Sequence, residues 1–166
     1  MAMTMAETLG PASAMGVASD GDGSDLTVRK ATIDDVRFVH RMLCQLEETD
    51  FSLDDLRARF CAQLASGHYT CLIAERDGVP VGMLNLDVQV RLHHARPTAE
   101  VCELIVAESV RSRGVGSALL EYALEIARRA DCELCEVTTN RVRVKAHRFY
   151  ERLGFEKTHW HMTMPL

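Results

Sequence analysis

The sequence lacks a surplus of positive charge and any long apolar run. It has 19 Lys and Arg against 24 Asp and Glu, a formal net charge of −5. Such a chain is a poor partner for duplex nucleic acid or an anionic membrane surface. No apolar stretch approaches the roughly 20 residues of a membrane span. Residues 1–25 also lack the basic and apolar segments of an export signal. We therefore expect a cytoplasmic protein with small-molecule partners.

A second Cys-x-x-Cys pair is also absent. Six cysteines are dispersed among apolar residues: Cys44, Cys61, Cys71, Cys102, Cys132 and Cys135. Without an export signal, they are expected to be reduced core residues. The last two lie in "CELCEVTT", an expected strand, where an odd separation sends their side chains to opposite faces. Neither a shared metal nor a redox pair is expected there.

The pattern of the remaining chain indicates one α/β domain. Residues 1–25 are small, polar and acidic and are predicted to be a flexible tail, whereas residues 26–166 suit one domain. Helices are predicted after Thr32, in "SLDDLRARFCAQLAS", after the glycine loop described below, and in "VKAHRFYERLGF". Strands are predicted in "DLTVRKAT", around a hairpin turn at Asp77-Gly78, in "AEVCELIVAE", in "CELCEVTT", and in the final "FEKTHWHMTMPL".

The second hairpin strand has one apolar and one polar face. The apolar face carries Leu84, Leu86, Val88, Val90 and Leu92, and the polar face carries Asn85, Asp87, Gln89, Arg91 and His93. A polar face of this kind is either solvated or lines a binding cleft. Of the two, we expect solvent.

Two glycines near the middle of the chain predict an anion-binding loop. The loop Arg111-Ser112-Arg113-Gly114-Val115-Gly116 follows an apolar strand and precedes a helix. A dinucleotide fingerprint fits poorly, because Leu119 replaces the third glycine and no acid ends the next strand. A Walker loop is excluded by the missing Gly-Lys-Ser/Thr. A simple turn remains an alternative.

The motifs around this loop are specific. Arg-x-x-Gly-x-Gly, a strand that ends in Thr-Thr-Asn, and "AHRFYERLGF" together resemble the GCN5-related N-acetyltransferase (GNAT) superfamily. The resemblance implies a central mixed, mostly antiparallel sheet with flanking helices. It also implies a splay between two central parallel strands, here Glu103–Ala107 and Cys132–Thr139, and acetyl-CoA as co-substrate.

The resemblance assigns roles to individual residues. Tyr150 occupies the position of the general acid, and Glu103 is the candidate base. The implied coenzyme-binding residues are Leu104, Ile105, Val106, Arg111, Ser112, Arg113, Gly114, Val115, Gly116, Ser117, Ala118, Asn140, His147 and Tyr150. For Tyr150 the alternative is a core aromatic, and for Glu103 it is a structural ion pair.

Three further stretches narrow the resemblance. "LHH", "ELIV" and "TTNRVRVKAHRFYERLGFEKTHW" are similar to the aminoalkylphosphonate N-acetyltransferases of bacterial phosphonate metabolism. The acceptor is then a small amine, and Arg91, His93 and His94 are predicted to bind its phosphonate. The alternatives are an aminoglycoside or other antibiotic N-acetyltransferase and a non-catalytic acyl-CoA-sensing module. The sequence leaves a divalent cation and a homodimer open.

Overall fold

A computed structural model describes residues 25–166 and a short strand at Ala18–Ser19. Apart from this strand and Asp25, the predicted tail, residues 1–25, lies outside the described residues. The chain forms two compact units, residues 1–136 and residues 137–166. No helix in the described part is both long and apolar enough to cross a membrane.

Six strands form one sheet in the order β1-β2-β3-β4-β5-β6. Their bounds are β1 Ala18–Ser19, β2 Asp25–Lys30, β3 Tyr69–Arg76, β4 Val79–Gln89, β5 Thr98–Val106 and β6 Leu134–Val137. The first five strands pair antiparallel with their neighbours. The antiparallel part of the prediction is therefore confirmed, and Ala18–Ser19 adds a strand within the segment predicted to be a tail.

β5 and β6 run in the same direction. The Glu133 N–H donates to the Pro97 carbonyl oxygen at 2.9 Å, just before both strands begin. Further along, Arg91 contacts Glu100 of β5 at 3.2 Å and Glu136 of β6 at 3.1 Å. The same number of residues separates Pro97 from Glu133 and Glu100 from Glu136. A constant separation of this kind indicates two parallel strands. The sheet is thus mixed, as the sequence predicts.

The predicted final strand is wrong for this structure. Residues 155–166 have no regular secondary structure, and Trp160 and Met162 of this segment are exposed. An alternating pattern makes a strand only where a neighbouring strand supplies hydrogen bonds, and the sequence cannot show that neighbour. As a result β6 ends the strand order, and the parallel pair is not central as predicted.

The hairpin of β3 and β4 turns at Asp77 and Gly78, as the sequence predicts. Both residues have positive φ, 50° and 74°, which suits a two-residue type I′ turn. β4 is shorter than its alternating pattern, because it ends at Gln89 and the chain turns with a bond from His94 N–H to the Arg91 carbonyl at 3.1 Å. Val90, predicted for the buried face, is 73% exposed.

The described part of the chain contains four α-helices, of which three lie between strands and the fourth follows β6. They are α1 Val36–Glu47, α2 Leu53–Ala65, α3 Val115–Arg129 and α4 Val144–Arg152. A 3₁₀ turn, Ile33–Asp35, leads into α1 through a capping box between Thr32 and Asp35. The Ser52 hydroxyl caps α2 by accepting from the Asp55 N–H at 3.3 Å. The predicted helices are confirmed.

Helices cover both faces of the sheet in the first unit. Phe38, Val39 and Phe60 of α1 and α2 pack on one face, in a core cluster with Ile73 and Met83. α3 packs on the other face, where Gly82 of β4 lies. A Cβ on Gly82 would lie 3.2 Å from side-chain atoms of Val115 and Leu119, so α3 approaches the sheet closely at this glycine.

Candidate functional site

The glycine loop leads from the end of β5 into α3. A 3₁₀ turn, Glu108–Val110, follows β5, and Gly114 is the N-cap residue of α3. Its φ of 79° is left-handed, a conformation that any side chain would disfavour. The Arg76 guanidinium donates to the Arg113 carbonyl oxygen at 3.2 Å and so fixes the loop to β3. The loop is thus held in a defined shape at the start of a helix.

The start of α3 offers main-chain donors. The first helical hydrogen bond runs from the Ala118 N–H to the Gly114 carbonyl oxygen at 3.0 Å. The N-cap residue, Gly114, has no side chain that could cap the helix. The amides of residues 115–117 therefore point out of the helix end, where the dipole adds positive potential. Such an end binds phosphate.

β5 continues beyond the end of β6. In this parallel register Val137, the last residue of β6, lies beside Val101 of β5. β6 therefore covers β5 only as far as Val101. The other edge of residues 102–106 is paired with β4, with Leu104 opposite Leu84 and Ile105 opposite Met83. One backbone edge of residues 102–106 is therefore not covered by β6. This is the stretch that contains the predicted Leu104, Ile105 and Val106.

A cavity of about 180 Å³ lies between the sheet and the α1–α2 pair. It is lined by Val39, Leu43, Leu56, Arg59, Phe60, Gln63, Cys71, Met83, Asn85 and Glu103. Its volume is below the roughly 300–1,000 Å³ of sites for drug-sized ligands, which suits a small acceptor. Of the residues predicted to be functional, Glu103 lines it.

Asn85 is placed between two other polar residues of this cavity. Its side-chain amide donates to Gln63 Oε1 and to Glu103 Oε2, both at 3.0 Å. Its Oδ1 is buried and has no hydrogen-bond partner among residues 25–166. A buried polar atom without a partner costs about 1–3 kcal/mol. An N–H group of a ligand would satisfy this oxygen.

The environment of Glu103 raises the pKa of its carboxyl group. Burial is the largest cause, and the negative charges of Glu47 and Glu100 add to it, whereas the hydrogen bond from Asn85 lowers the pKa. A carboxylate with a raised pKa is a better proton acceptor near neutral pH. The alternative account of Glu103 is a structural ion pair, but the group that donates to its carboxylate in the cavity is the neutral amide of Asn85.

The polar face of β4 is buried at Asn85 and Asp87, so the expectation of solvent exposure is wrong for these two residues, whereas His93 is exposed. Asn85 is 4% exposed and Asp87 is 3% exposed. The cause is the α1–α2 layer, which covers the face of the sheet that carries them. Asn85, Gln63 and Arg59 were not predicted as site residues. The alternation of polar and apolar residues in β4 is the sequence signal for Asn85. The same alternation is typical of a strand with one face in solvent, which is the interpretation that the sequence favours.

The predicted phosphonate-binding residues lie in an ion-pair network at the end of β4. Arg91 contacts Glu100 and Glu136, and His94 hydrogen-bonds to Glu133. The bond from His94 lowers the pKa of the Glu133 carboxyl. His93 stacks on His94 with ring centroids 4.3 Å apart. None of the three predicted residues is among the described residues that line the cavity, and their role in substrate binding stays a prediction.

Two cysteines hold their protons firmly. Burial raises the pKa of the thiols of Cys71, which lines the cavity, and of Cys135 to about 12. All six cysteines are free. That the thiols are reduced in the cell stays a prediction. Their placement in the core is correct for Cys71, whereas Cys61 and Cys102 are exposed. Cys132 precedes β6, so the argument from opposite strand faces does not apply to it.

The divalent cation left open by the sequence gains no support. Within the described residues, one set of three potential ligands comes together, His40, Cys44 and Asp50, with ligand atoms within 4.8 Å of one another. His40 Nε2 also contacts the Phe51 carbonyl oxygen at 2.7 Å. Neither His93 nor His94 belongs to this set.

The second unit contains the predicted acid. Tyr150 lies on α4, is buried, and makes edge contacts with Phe149 and Phe155, with ring centroids 5.1 and 5.4 Å apart. Asn140 and His147, both predicted on the coenzyme side, are joined by a contact of 3.0 Å from His147 Nε2 to the Asn140 carbonyl oxygen. The buried aromatic surroundings of Tyr150 fit both a core aromatic and a desolvated acid.

Comparison with known proteins extends these observations. Residues 37–155 match the Acetyltransferase (GNAT) family. The aminoalkylphosphonate N-acetyltransferase of Salmonella typhimurium is 38% identical over 139 residues, which is 84% of this chain and 90% of the relative. The aminoglycoside N-acetyltransferase AAC(6′)-Iy in complex with CoA has the same fold at 20% identity, with a TM-score of 0.78 over 89% of this chain and 99% of that one. A transcriptional regulator from Bacillus halodurans aligns at a TM-score of 0.79 and 26% identity, over 85% of this chain and 99% of that chain.

The fold and the loop therefore define an acyltransferase of the α/β class that uses a coenzyme A thioester. The chain belongs to the GNAT family of acetyltransferases. Its co-substrate is acetyl-CoA, and its activity is N-acetyl transfer.

Proposed function

We propose that the enzyme acetylates the primary amine of an aminoalkylphosphonate by direct transfer from acetyl-CoA. The observation that carries the proposal is the 38% identity to an aminoalkylphosphonate N-acetyltransferase over 84% of the chain. The small acceptor cavity, which contains a carboxylate with a raised pKa, is consistent with a small amine. The rival acceptors are aminoglycosides and polyamines.

The coenzyme is assigned to the glycine loop and the free edge of β5. The amides of residues 115–117 bind its pyrophosphate. Arg111, in the same loop, donates to the Val106 carbonyl oxygen at 3.1 Å and contacts Glu108 at 3.2 Å. Its pantetheine arm extends along residues 104–106 as an added strand, where β6 leaves the backbone uncovered. A main-chain N–H of this stretch then faces the thioester oxygen. One such donor contributes about 3–4 kcal/mol to lowering an acyl-transfer barrier.

Glu103 and Asn85 prepare the amine. The Asn85 Oδ1, which lacks a partner among residues 25–166, accepts a hydrogen bond from the substrate ammonium. Glu103 takes a proton from the ammonium, directly or through water, and leaves a nitrogen lone pair. The nitrogen attacks the thioester carbonyl carbon, and the C–S bond breaks as the new C–N bond is completed. The second proton of the attacking nitrogen then passes to solvent, which leaves the neutral amide.

Tyr150 is assigned the proton for the departing thiolate. A phenol with an ordinary pKa of about 10 stays protonated at neutral pH and can donate to sulfur without competing as an anion. The phenolic proton passes to the coenzyme thiolate, and solvent restores it. Tyr150→Phe keeps the aromatic contacts with Phe149 and Phe155 and removes this proton.

An amine panel tests the proposed function. Release of coenzyme A thiol is measured for 2-aminoethylphosphonate, 1-aminoethylphosphonate, spermidine and an aminoglycoside, each with and without divalent cation. We expect the highest kcat/KM for the two aminophosphonates. We also expect turnover to fall by about 10²–10⁴-fold in Tyr150→Phe, with acetyl-CoA affinity nearly unchanged.

Three results would contradict the proposal in different ways. A preference for spermidine or the aminoglycoside would change the acceptor and leave the acetyltransferase activity intact. Binding of acetyl-CoA without amine-dependent thiol release would indicate the sensing module instead. Near-normal turnover of Tyr150→Phe under conditions where chemistry limits the rate would leave Tyr150 as a core aromatic.

A further inference from the structure

α2 places an arginine where its helical pattern calls for an apolar residue. Four residues of α2 line the cavity, Leu56, Arg59, Phe60 and Gln63, at the spacing i, i+3, i+4 and i+7 of one helix face. Leu56 and Phe60 are buried, as expected for that face. Arg59 lies between them and is itself exposed, so it lies at the mouth of the cavity.

Arg59 has no acidic partner among residues 25–166. The arginines near the end of β4 differ in this respect. Arg91 contacts Glu100 and Glu136, and Arg96 contacts Asp131 at 3.0 Å. An anion that bound to Arg91 would compete with two carboxylates for one guanidinium. An anion that bound to Arg59 would compete only with water.

We propose that Arg59 binds the anionic group of the acceptor and thereby selects aminoalkylphosphonates. This assignment rests on the proposed function. The guanidinium forms paired, charge-assisted hydrogen bonds with phosphonate oxygens. The ammonium end of the acceptor then lies toward Asn85 and Glu103, which line the same cavity. The acceptor site is therefore bipolar, with a cation at its mouth and a carboxylate deeper on β5.

The bipolar site accounts for discrimination between acceptors. The surroundings of Glu103 are acidic, because Glu47 and Glu100 also act on its carboxyl group. Acidic surroundings alone would favour any amine, polyamines included. Arg59 repels the second positive charge of a polyamine and attracts the negative charge of a phosphonate. One side chain therefore both disfavours the wrong acceptor and favours the right one.

Substitutions on α2 test the role of Arg59. Steady-state kinetics compare 2-aminoethylphosphonate with propylamine, an amine of similar length that lacks the anion. Arg59→Gln should lower the kcat/KM ratio of the phosphonate to propylamine by about 10–100-fold, the worth of a hydrogen bond to a charged group. The loss should appear in the KM for the phosphonate, while the KM for acetyl-CoA stays the same. Arg59→Lys should retain part of the preference.

Arg57 supplies the matched control. It lies on the same helix and is exposed like Arg59, but it is not among the described residues that line the cavity. Arg57→Gln should leave the kcat/KM ratio unchanged. As a measurement independent of turnover, methylphosphonate should inhibit the wild-type enzyme competitively against 2-aminoethylphosphonate. It should lose potency in Arg59→Gln and keep it in Arg57→Gln.

The outcomes separate the two proposals. If the wild-type enzyme prefers 2-aminoethylphosphonate and Arg59→Gln leaves the ratio unchanged, the role of Arg59 is wrong and the proposed function stands. If Arg91→Gln instead lowers the ratio, the anion binds at the end of β4. If the wild-type enzyme prefers spermidine, the proposed function fails, and the assignment of Arg59 fails with it.

Discussion

At the scale of single residues, Glu103 links stability to catalysis. Its carboxyl group is destabilised by burial and by nearby Glu47 and Glu100, and only the amide of Asn85 offsets this. A buried carboxylate held by one neutral hydrogen bond is unfavourable for folding. The same arrangement raises the pKa of a proposed base toward the pH at which it works. The enzyme is expected to be less stable because of the group that it needs for proton transfer.

Glu103→Gln should therefore stabilise the protein while it abolishes most activity. Because the pKa is raised in the folded state, the native protein binds more protons than the unfolded chain between the ordinary and the raised pKa of the carboxyl. The free energy of unfolding of the wild type therefore falls as pH rises through that window. In Glu103→Gln this fall is absent, because glutamine does not titrate. Urea unfolding should give a larger free energy of unfolding for Glu103→Gln at pH 7 than for wild type, and the difference should vanish at low pH. Turnover should fall by about 10²–10⁴-fold.

The pH profile of the wild-type enzyme provides a second check on Glu103. kcat/KM should rise with pH through an apparent pKa above the ordinary range of glutamate, and this limb should be absent in Glu103→Gln. A variant that is less stable than wild type at pH 7, or that keeps the same rising limb, would show that the carboxylate is a structural group and not the base.

Site residues differ in how far the sequence could predict them. Glu103 was found because a carboxylate inside an apolar strand is costly without a function or a partner. Asn85 gave a weaker signal, because the polar face of β4 is equally compatible with solvent until the α1–α2 layer is placed over it. Arg59 could be recognised only after the cavity was known, since an exposed arginine on an amphipathic helix is ordinary.

At the scale of elements, α3 follows the glycine loop and packs against the sheet. Its first turn supplies the amides assigned to pyrophosphate, and its position depends on close packing against β4 at Gly82. The sequence predicted α3 and the loop correctly, because a strand, a glycine pair and an amphipathic helix are local signals. It did not predict Gly82 as a packing residue, because the close approach involves elements distant in the chain.

Gly82→Ala should weaken coenzyme binding without touching the coenzyme. The added Cβ would lie 3.2 Å from the Ile105 carbonyl oxygen and from side chains of Val115 and Leu119. Overpacking of this kind costs about 1–3 kcal/mol and displaces the neighbouring element. We expect a lower melting temperature and a higher Kd for acetyl-CoA, measured by calorimetry. Gly67→Ala is the control, because no atom lies within 4 Å of its added Cβ. Equal acetyl-CoA affinity in both variants would indicate that the loop does not depend on this contact.

Strand ends show the limit of prediction at this scale. The alternation of β4 continues to Leu92 in the sequence, but the strand ends at Gln89 because the chain turns at Arg91. The segment at residues 155–166 alternates as well and forms no strand. Alternation reports which side chains could share a face, whereas hydrogen bonding to a neighbour decides where a strand exists.

At the scale of the whole molecule, the central question is whether the acetyl group passes directly between substrates or through the enzyme. A two-step route requires a nucleophile, and cysteine is the strongest one in this chain at neutral pH when it is a thiolate. Cys71 lines the acceptor cavity, and Cys102 precedes Glu103 on β5. The Cys71 thiol is buried, which raises its pKa to about 12 and keeps it almost entirely protonated at neutral pH. Direct transfer within a ternary complex is therefore favoured.

Direct transfer should be visible in the kinetic pattern. With acetyl-CoA and 2-aminoethylphosphonate both varied, double-reciprocal plots should intersect, because both substrates must be bound before thiol is released. Incubation with labelled acetyl-CoA alone should leave no label on the protein after denaturation. Cys102→Ala should turn over at a rate close to that of wild type, whereas Glu103→Gln should not. Parallel plots, together with a labelled protein that disappears in Cys102→Ala, would instead establish an acetyl-cysteine intermediate and remove Glu103 from the role of sole base.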